Sequence, residues 1–533
     1  MDRAKKTDRI IIVILLAAAV LILARYLITM PGILPFHKED AGDAGELTYE
    51  DYNGKNIGIL TGTNMEQESF RFFPDSEYFY FDGYPNMNAA LENGVIDAYL
   101  ADEPALRCMH ARQPQIDYLK ERLTENRYSF AFRKDDPKEK ELRDQFNAFL
   151  REIKENGTYE EIDSVWFGTD ESKKVVDYSG LTGENGTIHV VTTSTDEPFS
   201  YIKDGEHVGY DIDVAVRFCR ACGYAIEIGD VDFMARIPAL ASGQYEFTTT
   251  MNVTPEREES VLFSDPVSEG GIVVAVRAAD LRQGAEDPSE GEETRRGFFA
   301  KIADSFEKNF IREKRWKLIL EGLGTTCLIT VLSILFGTIL AFGVCLLRHT
   351  GSRLGNGLCD IYVRILQGTP TVVLLMILYY AVLGRTRIGA VWVAVIGFTL
   401  NFGAYASEIM NSGYNSVDPG QREAALALGF TERGAFMSFL LPQAALKILP
   451  VYRGEMINLL KSTSVVGYIA IRDVTKMSDI IRSRTYEAFF PLIVTALIYF
   501  ALSWLIAKAV SLLMKAMDPR VRSRRKTNGA VEK

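Results

Sequence analysis

The residues that could carry out chemistry in this 533-residue chain are few, and the first candidates are two cysteines. Cys219 and Cys222 have the CxxC spacing found in redox and metal sites. No second CxxC or nearby histidine accompanies them, and they share one helical face with Ile212, Ala215 and Val216. We therefore expect both cysteines to be packing residues, and we predict neither a metal site nor a catalytic residue.

The sequence also lacks the residues that hold a nucleotide in the P-loop manner. No GxxxxGK[ST] segment, whose amides and lysine would bind the phosphates of ATP, occurs in the sequence. The formal charge of −11, without a clustered basic face outside the termini, argues against a nucleic-acid partner. We expect no cofactor bound by this chain.

One acidic residue, Glu455, falls in an apolar stretch that is predicted to cross a membrane. A carboxylate in that position costs several kcal/mol unless it is paired or faces a polar path. Arg453 is two residues away and points to a different side of the helix. We expect Glu455 either to line a polar path or to pair with another helix.

A short segment between two apolar stretches has the pattern of a helix that is capped at both ends. Asp418 suits the N-cap, Pro419 suits the first helical position, and Gln421 is placed to complete a capping box. Gly429 suits the C-terminal stop, and the acidic and small residues 423–425 lie between the caps. Such a helix in a loop between membrane spans is suited to docking against another protein.

Six stretches are apolar enough to span a membrane. They are predicted at residues 10–30, where the first acts as an uncleaved anchor, and at about 323–347, 360–383, 388–410, 444–460 and 489–514. Basic residues before the first span and in the C-terminal tail place both termini in the cytoplasm. The same count places the capped helix inside and the polar region after the anchor outside. We expect a multi-pass protein of the plasma or inner membrane.

Strand-like runs alternate with helical stretches after the anchor, which indicates an α/β region. The expected order is a cytoplasmic N-terminus at 1–9, the anchor at 10–30, α/β lobes at 49–177 and 184–277, a linker at 279–298, an amphipathic helix at the membrane surface at 299–322, an all-α transmembrane domain at 323–515 and a basic cytoplasmic tail at 516–533. The chain is therefore predicted to be multidomain.

The membrane half resembles the permease subunits of polar amino acid ABC importers. Glu423, Ala424, Ala425 and Gly429 have the spacing of the family's EAA loop, with Phe439 where isoleucine is usual. RILQGTPTVVLLM at 364–376 and LLKSTSVVGYIAIRDVTK at 459–476 are similar to other permease segments. The resemblance implies that an ABC ATPase subunit, which binds ATP and Mg²⁺, docks on these four residues. It also implies a second permease, either another copy of this chain or a related subunit.

The α/β region resembles the two-lobed type II periplasmic solute-binding proteins that serve such importers. GKNIGILTGTN at 54–64 and NGVIDAYLADEP at 93–104 are similar to the second lobe of that family. EPFSYIKDGEHVGYDIDVAVRF at 197–218 and NVTPEREESVLFSDP at 252–266 are similar to its first lobe. Because the lobe order is reversed, we expect either a circularly permuted binding fold or two truncated binding domains joined together.

This second resemblance implies an amino acid site. The implied ligand residues are Thr61, Gly62, Thr63, Asp102, Phe199, Tyr201, Thr254 and Arg257. Arg257, after Thr254, would bind the α-carboxylate of the ligand with two parallel hydrogen bonds. Free backbone amides at 61–63, just before a helix begins, would donate further hydrogen bonds to the same carboxylate. Asp102 would bind the α-ammonium from the opposing wall, and the two aromatic rings would pack against the ligand side chain.

Three of these residues also have a purely structural interpretation. Arg257 could be a surface residue that pairs with Glu256 or Glu258. Asp102 could be an ordinary acidic residue of a turn, and Phe199 could belong to the core. The sequence alone does not decide among these interpretations.

The expected function is that of an importer subunit that fuses receptor and permease. It would import a polar amino acid of open identity with ATP hydrolysed by a separate chain, and it would not itself be an enzyme. The alternatives are a ligand-gated channel, since residues 465–468 resemble part of a potassium filter, and an enzyme with a solute-binding fold. The EAA loop argues against both alternatives.

Overall fold

The computed structural model describes residues 47–61, 63–134, 136–168, 170–281, 298–349, 352–384, 386 and 388–517. The expected N-terminus and anchor, Gly62, nearly all of the linker and nearly all of the tail lie outside the described residues. The chain divides into two compact units. The first comprises residues up to Lys317 together with Ser478–Ile493, and the second comprises Leu318–Met477 and the residues from Val494 onward.

Strands of the first unit form a ten-stranded sheet and a three-stranded sheet. They are β1 (Asn56–Leu60), β2 (Glu77–Phe81), β3 (Ala98–Asp102), β4 (Ile116–Tyr118), β5 (Thr124–Arg133), β6 (Thr187–Thr192), β7 (Thr195–Asp196), β8 (Ser200–Lys203), β9 (Glu206–Val208), β10 (Ala225–Asp230), β11 (Phe247–Asn252), β12 (Val261–Phe263) and β13 (Ser268–Arg277). The large sheet has the order β10-β6-β11-β5-β13-β3-β1-β2, and the small sheet has the order β7-β8-β9.

The first unit also contains helices, most of which pack on this sheet. They are α1 (Met65–Phe72), α2 (Tyr84–Glu92), α3 (Glu103–Arg112), α4 (Pro137–Glu155), α5 (Thr158–Trp166), α6 (Tyr210–Ala221), α7 (Arg236–Ala241), α8 (Pro255–Ser260), α9 (Ala278–Leu281) and α10 (Phe298–Phe306). Most follow a parallel strand and return the chain to the opposite end of the sheet, as βα connections must.

The large sheet consists of two lobes that exchange strands. In lobe A, the parallel strands β2, β1 and β3 are closed by antiparallel β13. In lobe B, the parallel strands β10, β6 and β11 are closed by antiparallel β5. The two exchanged strands also pair with each other, from Tyr128 opposite Ser268 to Thr124 opposite Ile272. A single chain therefore builds one two-lobed body around one continuous sheet rather than two separate domains, and the permuted lobe order stays a prediction.

The lobe boundaries differ from the expected ranges 49–177 and 184–277. Residues of β5, α4 and α5 lie in the core of lobe B, where Phe146 and Trp166 share a cluster with Phe218 and Phe247. Strand β13 instead lies in the cores of lobe A. The reason is that each lobe receives its antiparallel strand from the chain segment of the other lobe, which hydropathy patterns do not reveal.

Helix α6 buries the apolar face that the sequence predicted. Ile212, Ala215, Val216 and Cys219 are fully buried, and Cys222 lies at the C-cap. Both cysteines are free thiols, and burial raises the pKa of Cys219 to about 12 and also raises the pKa of Cys222. Neither thiol therefore has the thiolate character that redox or metal chemistry needs. The prediction that they are packing residues is confirmed.

The remaining helices continue the numbering. They are α11 (Trp316–Arg348), α12 (Arg353–Gly368), α13 (Thr371–Met376), α14 (Ala390–Asn415), α15 (Pro419–Ala427), α16 (Glu432–Ala435), α17 (Leu441–Ser462), α18 (Val474–Thr485) and α19 (Phe490–Met517). The expected interfacial helix at 299–322 is divided, because α10 ends at Phe306 and Glu313 has a φ of 52° before α11 begins. Residues 316–322 are continuous with the membrane helix that follows.

Four described helical stretches are long and apolar enough to cross a membrane, and a fifth is present if one bent pair counts as a span. The four are Trp316–Arg348, Ala390–Asn415, Glu432–Ile469 and Phe490–Met517, and the pair is Arg353–Gly368 with Thr371–Val382. The pair is bent by 107° around Pro370, which has no amide hydrogen to continue a helix. These stretches coincide with the five spans that were predicted after the anchor.

Arg348 links three membrane helices through two carboxylates. Its Nη2 lies 2.9 Å from Asp360 Oδ1 on α12, and its Nη1 lies 2.6 Å from Glu408 Oε1 on α14. Arg364 is one helical turn from Asp360 on α12, but the arginine of the neighbouring helix α11 pairs with Asp360 instead.

Gly209, between β9 and α6, occupies a position that only glycine fits. Its φ is +132°, and an added Cβ would clash with the carbonyl of Phe199. Gly209→Ala should therefore lower the free energy of unfolding by about 3 kcal/mol or more, measured as a lower melting temperature of the full chain in detergent. Gly205→Ala is the matched control: its φ is +92° with nothing within 4 Å, so it should cost only about 1 kcal/mol. Equal losses would contradict the clash.

Candidate ligand site and docking helix

The candidate ligand site lies where the two lobes meet. Asp102 ends β3 in lobe A and Asn252 ends β11 in lobe B. Ligands of open α/β sheets commonly bind at the carboxyl ends of such strands. A hydrogen bond joins the lobes at this place, since Asn252 Nδ2 donates to Asn64 Oδ1 at 3.0 Å. The lobes are therefore in contact beside the site.

Asp102 presents a carboxylate that has no ion-pair partner among the described residues. Its Oδ1 accepts a hydrogen bond from the hydroxyl of Tyr128 on β5. Burial raises the pKa of Asp102 to about 6, with Asp196 adding to the rise and Tyr128 and Arg257 opposing it. Asp102 is the N-cap residue of α3, but its side chain makes no capping hydrogen bond. The geometry therefore gives no support to a simple turn-stabilising role.

Arg257 lies on α8 and is oriented by the residues before it. The hydroxyl of Thr254 accepts a hydrogen bond from the Arg257 amide at 3.4 Å, and Arg257 Nη1 donates to the Asn252 carbonyl at 3.1 Å. Arg257 is half-buried and burial lowers its pKa, whereas Glu256 and Glu258 are exposed. Arg257 makes no ion pair within the described ranges, so the expected alternative of a surface pair is absent.

The segment at 61–63 offers fewer free donors than the resemblance implied. The Thr61 amide donates to the Phe81 carbonyl at 2.9 Å, and the Thr63 amide donates to the Leu60 carbonyl at 3.4 Å. The Thr63 hydroxyl donates to the same Leu60 carbonyl at 2.7 Å and accepts from the first amide of α1 at 3.3 Å. Both threonines are thus engaged inside lobe A, and Gly62 lies outside the described residues.

The two aromatic candidates lie in different surroundings. The buried ring of Phe199 has its centroid 5.8 Å from that of Tyr128, the residue that holds the Asp102 carboxylate. Tyr201 is fully buried, and the guanidinium of Arg484 lies 4.4 Å from its ring centroid. The structure therefore places Phe199 next to the cleft and covers Tyr201 with a residue from a distant part of the chain.

Three charged residues beside the cleft were missed in the sequence. Arg236 Nη1 donates to the Thr250 carbonyl at 3.1 Å, and Asp211 Oδ2 accepts from the Thr250 amide at 2.9 Å. Burial lowers the pKa of Arg236 to about 10 and raises that of Asp211 to about 7, and Asp196 interacts with both charges. The signal that could have located them is the hydroxyl-rich run 248–250, which is unusual for a strand that is buried throughout.

The predicted capped helix is present as α15. Asp418 Oδ1 accepts a hydrogen bond from the Gly420 amide at 2.8 Å, and Gly429 follows the helix with a φ of +87°. Gln421 does not complete the capping box, because its side-chain oxygen accepts a hydrogen bond from Gln443 at 3.1 Å. Both ends of the helix are therefore fixed, with one cap formed differently from the prediction.

One side of α15 and the turn after it form an exposed surface, which we call the docking surface. It comprises Glu423, Ala424, Leu428, Gly429 and Phe430. Leu428 is 75% exposed and Phe430 is 42% exposed, whereas Ala425 is buried and anchors the helix. Large apolar side chains that protrude beside a carboxylate are typical of a contact with another protein.

Glu455 lies half-buried on α17. Its Oε1 is 3.5 Å from Asn458 Nδ2, one turn along the same helix, and it makes no ion pair in the described part of the chain. Of the two expectations for this residue, pairing across helices is therefore not seen. A position on a polar path stays a prediction.

Comparisons with known proteins assign both halves of the chain. The model of bacterial extracellular solute-binding proteins, family 3, matches residues 75–169 and 188–482. The arginine transport system permease protein ArtQ of Bacillus subtilis (strain 168) is 38% identical over 205 residues, which cover 38% of this chain and 94% of ArtQ. The chain belongs to the family 3 solute-binding proteins, joined to an amino acid ABC permease.

Further matches agree with the permease assignment. The putative glutamine transport system permease protein GlnP of Rickettsia bellii (strain RML369-C) is 33% identical over 201 residues, 37% of this chain and 92% of GlnP. A crystal structure of an amino acid ABC transporter with histidines is 33% identical, with a TM-score of 0.36, and the match covers 38% of this chain and 95% of that chain. The family model and the two permease relatives confirm the expected resemblance to fused amino acid importers.

The fused importer chain is a multi-pass membrane protein with a two-lobed α/β receptor and a helical permease. Its relatives are transport permeases and binding proteins rather than enzymes. The receptor and the permease occur in one polypeptide.

Asp102→Asn should abolish stabilisation by ligand without weakening the ligand-free fold. Because burial raises the Asp102 pKa, the ionised carboxylate is disfavoured in the folded protein and a neutral amide removes that cost. The full chain would be heated with each of the twenty amino acids; a bound ligand raises the wild-type melting temperature. The variant should lose about 100-fold in affinity while its ligand-free melting temperature does not fall. Glu256→Gln, at an exposed neighbour of Arg257, should respond as the wild type.

The affinity of the receptor for its ligand should fall as the pH drops through 6. A carboxylate binds an ammonium group well only when it is ionised, so a pKa of about 6 for Asp102 predicts an affinity loss of about tenfold between pH 7.5 and pH 5. Asp211 and Asp196 titrate nearby, and Asp196 raises the Asp102 pKa. Asp196→Asn should therefore move the midpoint to lower pH in calorimetric titrations. An unmoved midpoint would show that Asp102 does not govern the pH dependence.

Proposed function

We propose that the lobes capture a polar amino acid as a zwitterion held between Asp102 and Arg257. The observation that carries this proposal is a pair of opposite charges, one on each lobe, that lower each other's electrostatic cost but find no ion-pair partner in the described chain. The α-ammonium group would pair with Asp102, and the α-carboxylate would accept two hydrogen bonds from Arg257.

Closure of the lobes follows from the same arrangement. Each lobe alone supplies one charge, so a ligand that carries both charges interacts more strongly with the closed state than with the open state. Thr254 would orient Arg257, Phe199 would bound the side-chain pocket, and Tyr201 would support it from behind. The segment Thr61, Gly62 and Thr63 would border the carboxylate on the lobe A side.

On the membrane side, we propose that the docking surface binds an ABC ATPase subunit that supplies ATP hydrolysis with Mg²⁺. A short helix fixed by Asp418 and anchored by buried Ala425 can transmit a push without deforming. A second permease, as a homodimer or a related subunit, would complete the pathway by analogy with the family. The lobes would then lie outside the cell, with both termini and the docking surface in the cytoplasm.

Glu455 is proposed to line the translocation path. It is half-buried on a membrane helix, and its carboxylate accepts a hydrogen bond from Asn458 but makes no ion pair with any described residue, which suits a group that faces a polar route.

A ligand-gated channel has less support than an importer. Potassium filters hold ions in rings of backbone carbonyls. Here Thr463–Ile469 forms a 3₁₀-helix in which Val466 and Gly467 are buried. The carbonyls of such a helix point along its axis rather than into a pore.

Gly429→Asp should uncouple transport from ATP hydrolysis and leave ligand binding intact. Asp and Asn both tolerate a positive φ better than other residues, so Gly429→Asn is a matched control that adds the same bulk without the charge. In proteoliposomes with the partner ATPase, uptake of radiolabelled amino acid should fall about tenfold or more for Asp and much less for Asn. Loss of ligand-induced thermal stabilisation in Gly429→Asp would contradict the separation of capture from docking.

A further inference from the structure

A segment that lies between two membrane helices in sequence packs with the receptor lobes instead. Residues Ser478–Ile493 follow Glu432–Ile469 and lead into α19, yet they belong to the same compact unit as the lobes. We call residues 478–489, which comprise the last part of α18 and the connection to α19, the docked loop. Two of its side chains contact lobe A: Arg482 donates to Asn86 Oδ1, and Tyr486 lies in the core cluster that contains Met87 and Tyr99.

The docked loop places Arg484 in a buried ion cluster. The Arg484 side chain is 2% exposed, its Nη1 pairs with Glu197, and its Nη2 lies 3.0 Å from Glu313 Oε1. Its guanidinium also stacks over the fully buried ring of Tyr201. A charge this deeply buried persists only with such partners, because its desolvation is otherwise uncompensated.

Glu197 is shared between the docked loop and the two lobes. It lies on lobe B, between β7 and β8, and its carboxylate accepts two hydrogen bonds from Arg112 at the end of α3 in lobe A, at 2.5 and 2.6 Å. Arg112 also donates to the Arg484 carbonyl at 3.3 Å. The full cluster therefore exists only when lobe A, lobe B and the docked loop meet.

The same cluster adjoins the ligand cleft. Glu197 follows Asp196 directly in the chain, and Asp196 interacts electrostatically with Asp102, Asp211 and Arg236. Within one short turn, the carboxylate of Asp196 therefore interacts with the charges of the cleft, and the carboxylate of Glu197 contacts the docked loop.

We propose that the docked loop is a sensor of lobe closure, and that its binding surface is formed jointly by Arg112 of lobe A and Glu197 of lobe B. The inference rests on the proposed capture of a ligand between the lobes. Ligand and loop both stabilise the closed arrangement, so each strengthens the binding of the other. Because the loop continues directly into the last membrane helix, closure outside is passed to the permease by covalent connection.

The test is hydrogen–deuterium exchange of the full chain in lipid nanodiscs, read on peptides within residues 474–489. In the wild type, amides of the docked loop should exchange slowly, and more slowly still with a mixture of the twenty amino acids. Glu197→Gln should accelerate their exchange by about tenfold or more, because Arg484 and Arg112 lose their shared carboxylate. Glu184→Gln, at an exposed glutamate of the same lobe, is the control and should leave the exchange unchanged.

A second variant distinguishes the loss of these ion pairs from misfolding of the chain. Arg484→Lys keeps the charge but cannot reach Glu197 and Glu313 together, so it should give an intermediate acceleration. Exchange in Glu197→Gln that equals that of the wild type would overturn the sensor. Ligand-induced thermal stabilisation is measured separately. If Glu197→Gln keeps this stabilisation while its docked loop is released, the sensor is supported. If the wild type shows no such stabilisation, ligand capture itself is rejected.

Discussion

Asp102 on one lobe and Arg257 on the other are opposite charges that find no ion-pair partner within the described ranges, and they set the constraint on which the rest of the structure depends. A charge that is partly removed from water is costly unless a partner offsets its desolvation. Elsewhere at the lobe junction that requirement is met inside the chain, since Glu197 is bound by Arg112 and Arg484. The junction thus contains one satisfied cluster and, beside it, two charges that have no ion-pair partner in the described part of the chain, which we propose a bound zwitterion supplies.

The exchanged strands β5 and β13 explain how the ion cluster at Glu197 and the cleft with Asp102 and Arg257 are held together. β5 and β13 leave their own lobes and pair with each other at the middle of the sheet. Tyr128 stands at the first pair of that crossing and donates its hydroxyl to Asp102. Tyr128 therefore joins the strand crossing to Asp102, and the position of that carboxylate depends on the geometry of the crossing.

Local features of this protein could be predicted from its sequence, and features that join distant segments could not. The cap of α15, the buried face of α6 and the membrane spans follow from periodicity and from residues a few positions apart. The resemblance to solute-binding proteins implied Asp102 and Arg257 as ligand residues, and their role stays a prediction. The exchange of β5 with β13 and the cover that Arg484 places on Tyr201 depend on contacts between residues far apart in sequence. No local pattern contains that information.

Contacts between residues far apart in sequence also engage the Thr61 amide and form the ionic cluster at Glu197. Neither feature could be predicted from the sequence. A sequence motif identifies which residue types are present, whereas whether an amide is free depends on what the neighbouring strand offers, here the carbonyl of Phe81. Asp196 and Glu197 are adjacent and chemically alike, yet one interacts with the charges of the cleft and the other is bound by two arginines. Only the packing of lobe A and residues 478–489 around that turn distinguishes them.

The balance between the satisfied cluster and the incomplete site determines how the receptor can respond. In the proposed mechanism, the Arg112–Glu197–Arg484 cluster favours the closed arrangement whether or not a ligand is present. Asp102 and Arg257, which have no ion-pair partner among the described residues, oppose closure of an empty cleft by losing water without gaining a partner. A ligand shifts this equilibrium only by its differential affinity for the two states, and a nearly complete shift requires a preference of about 10⁴-fold. Since the cluster supplies part of the closing free energy in advance, a small zwitterion can supply the remainder. Too strong a cluster would close the empty lobes and remove the dependence on ligand, so the exposure of Arg112 to water, which weakens its pair with Glu197, is a physical requirement of a responsive receptor.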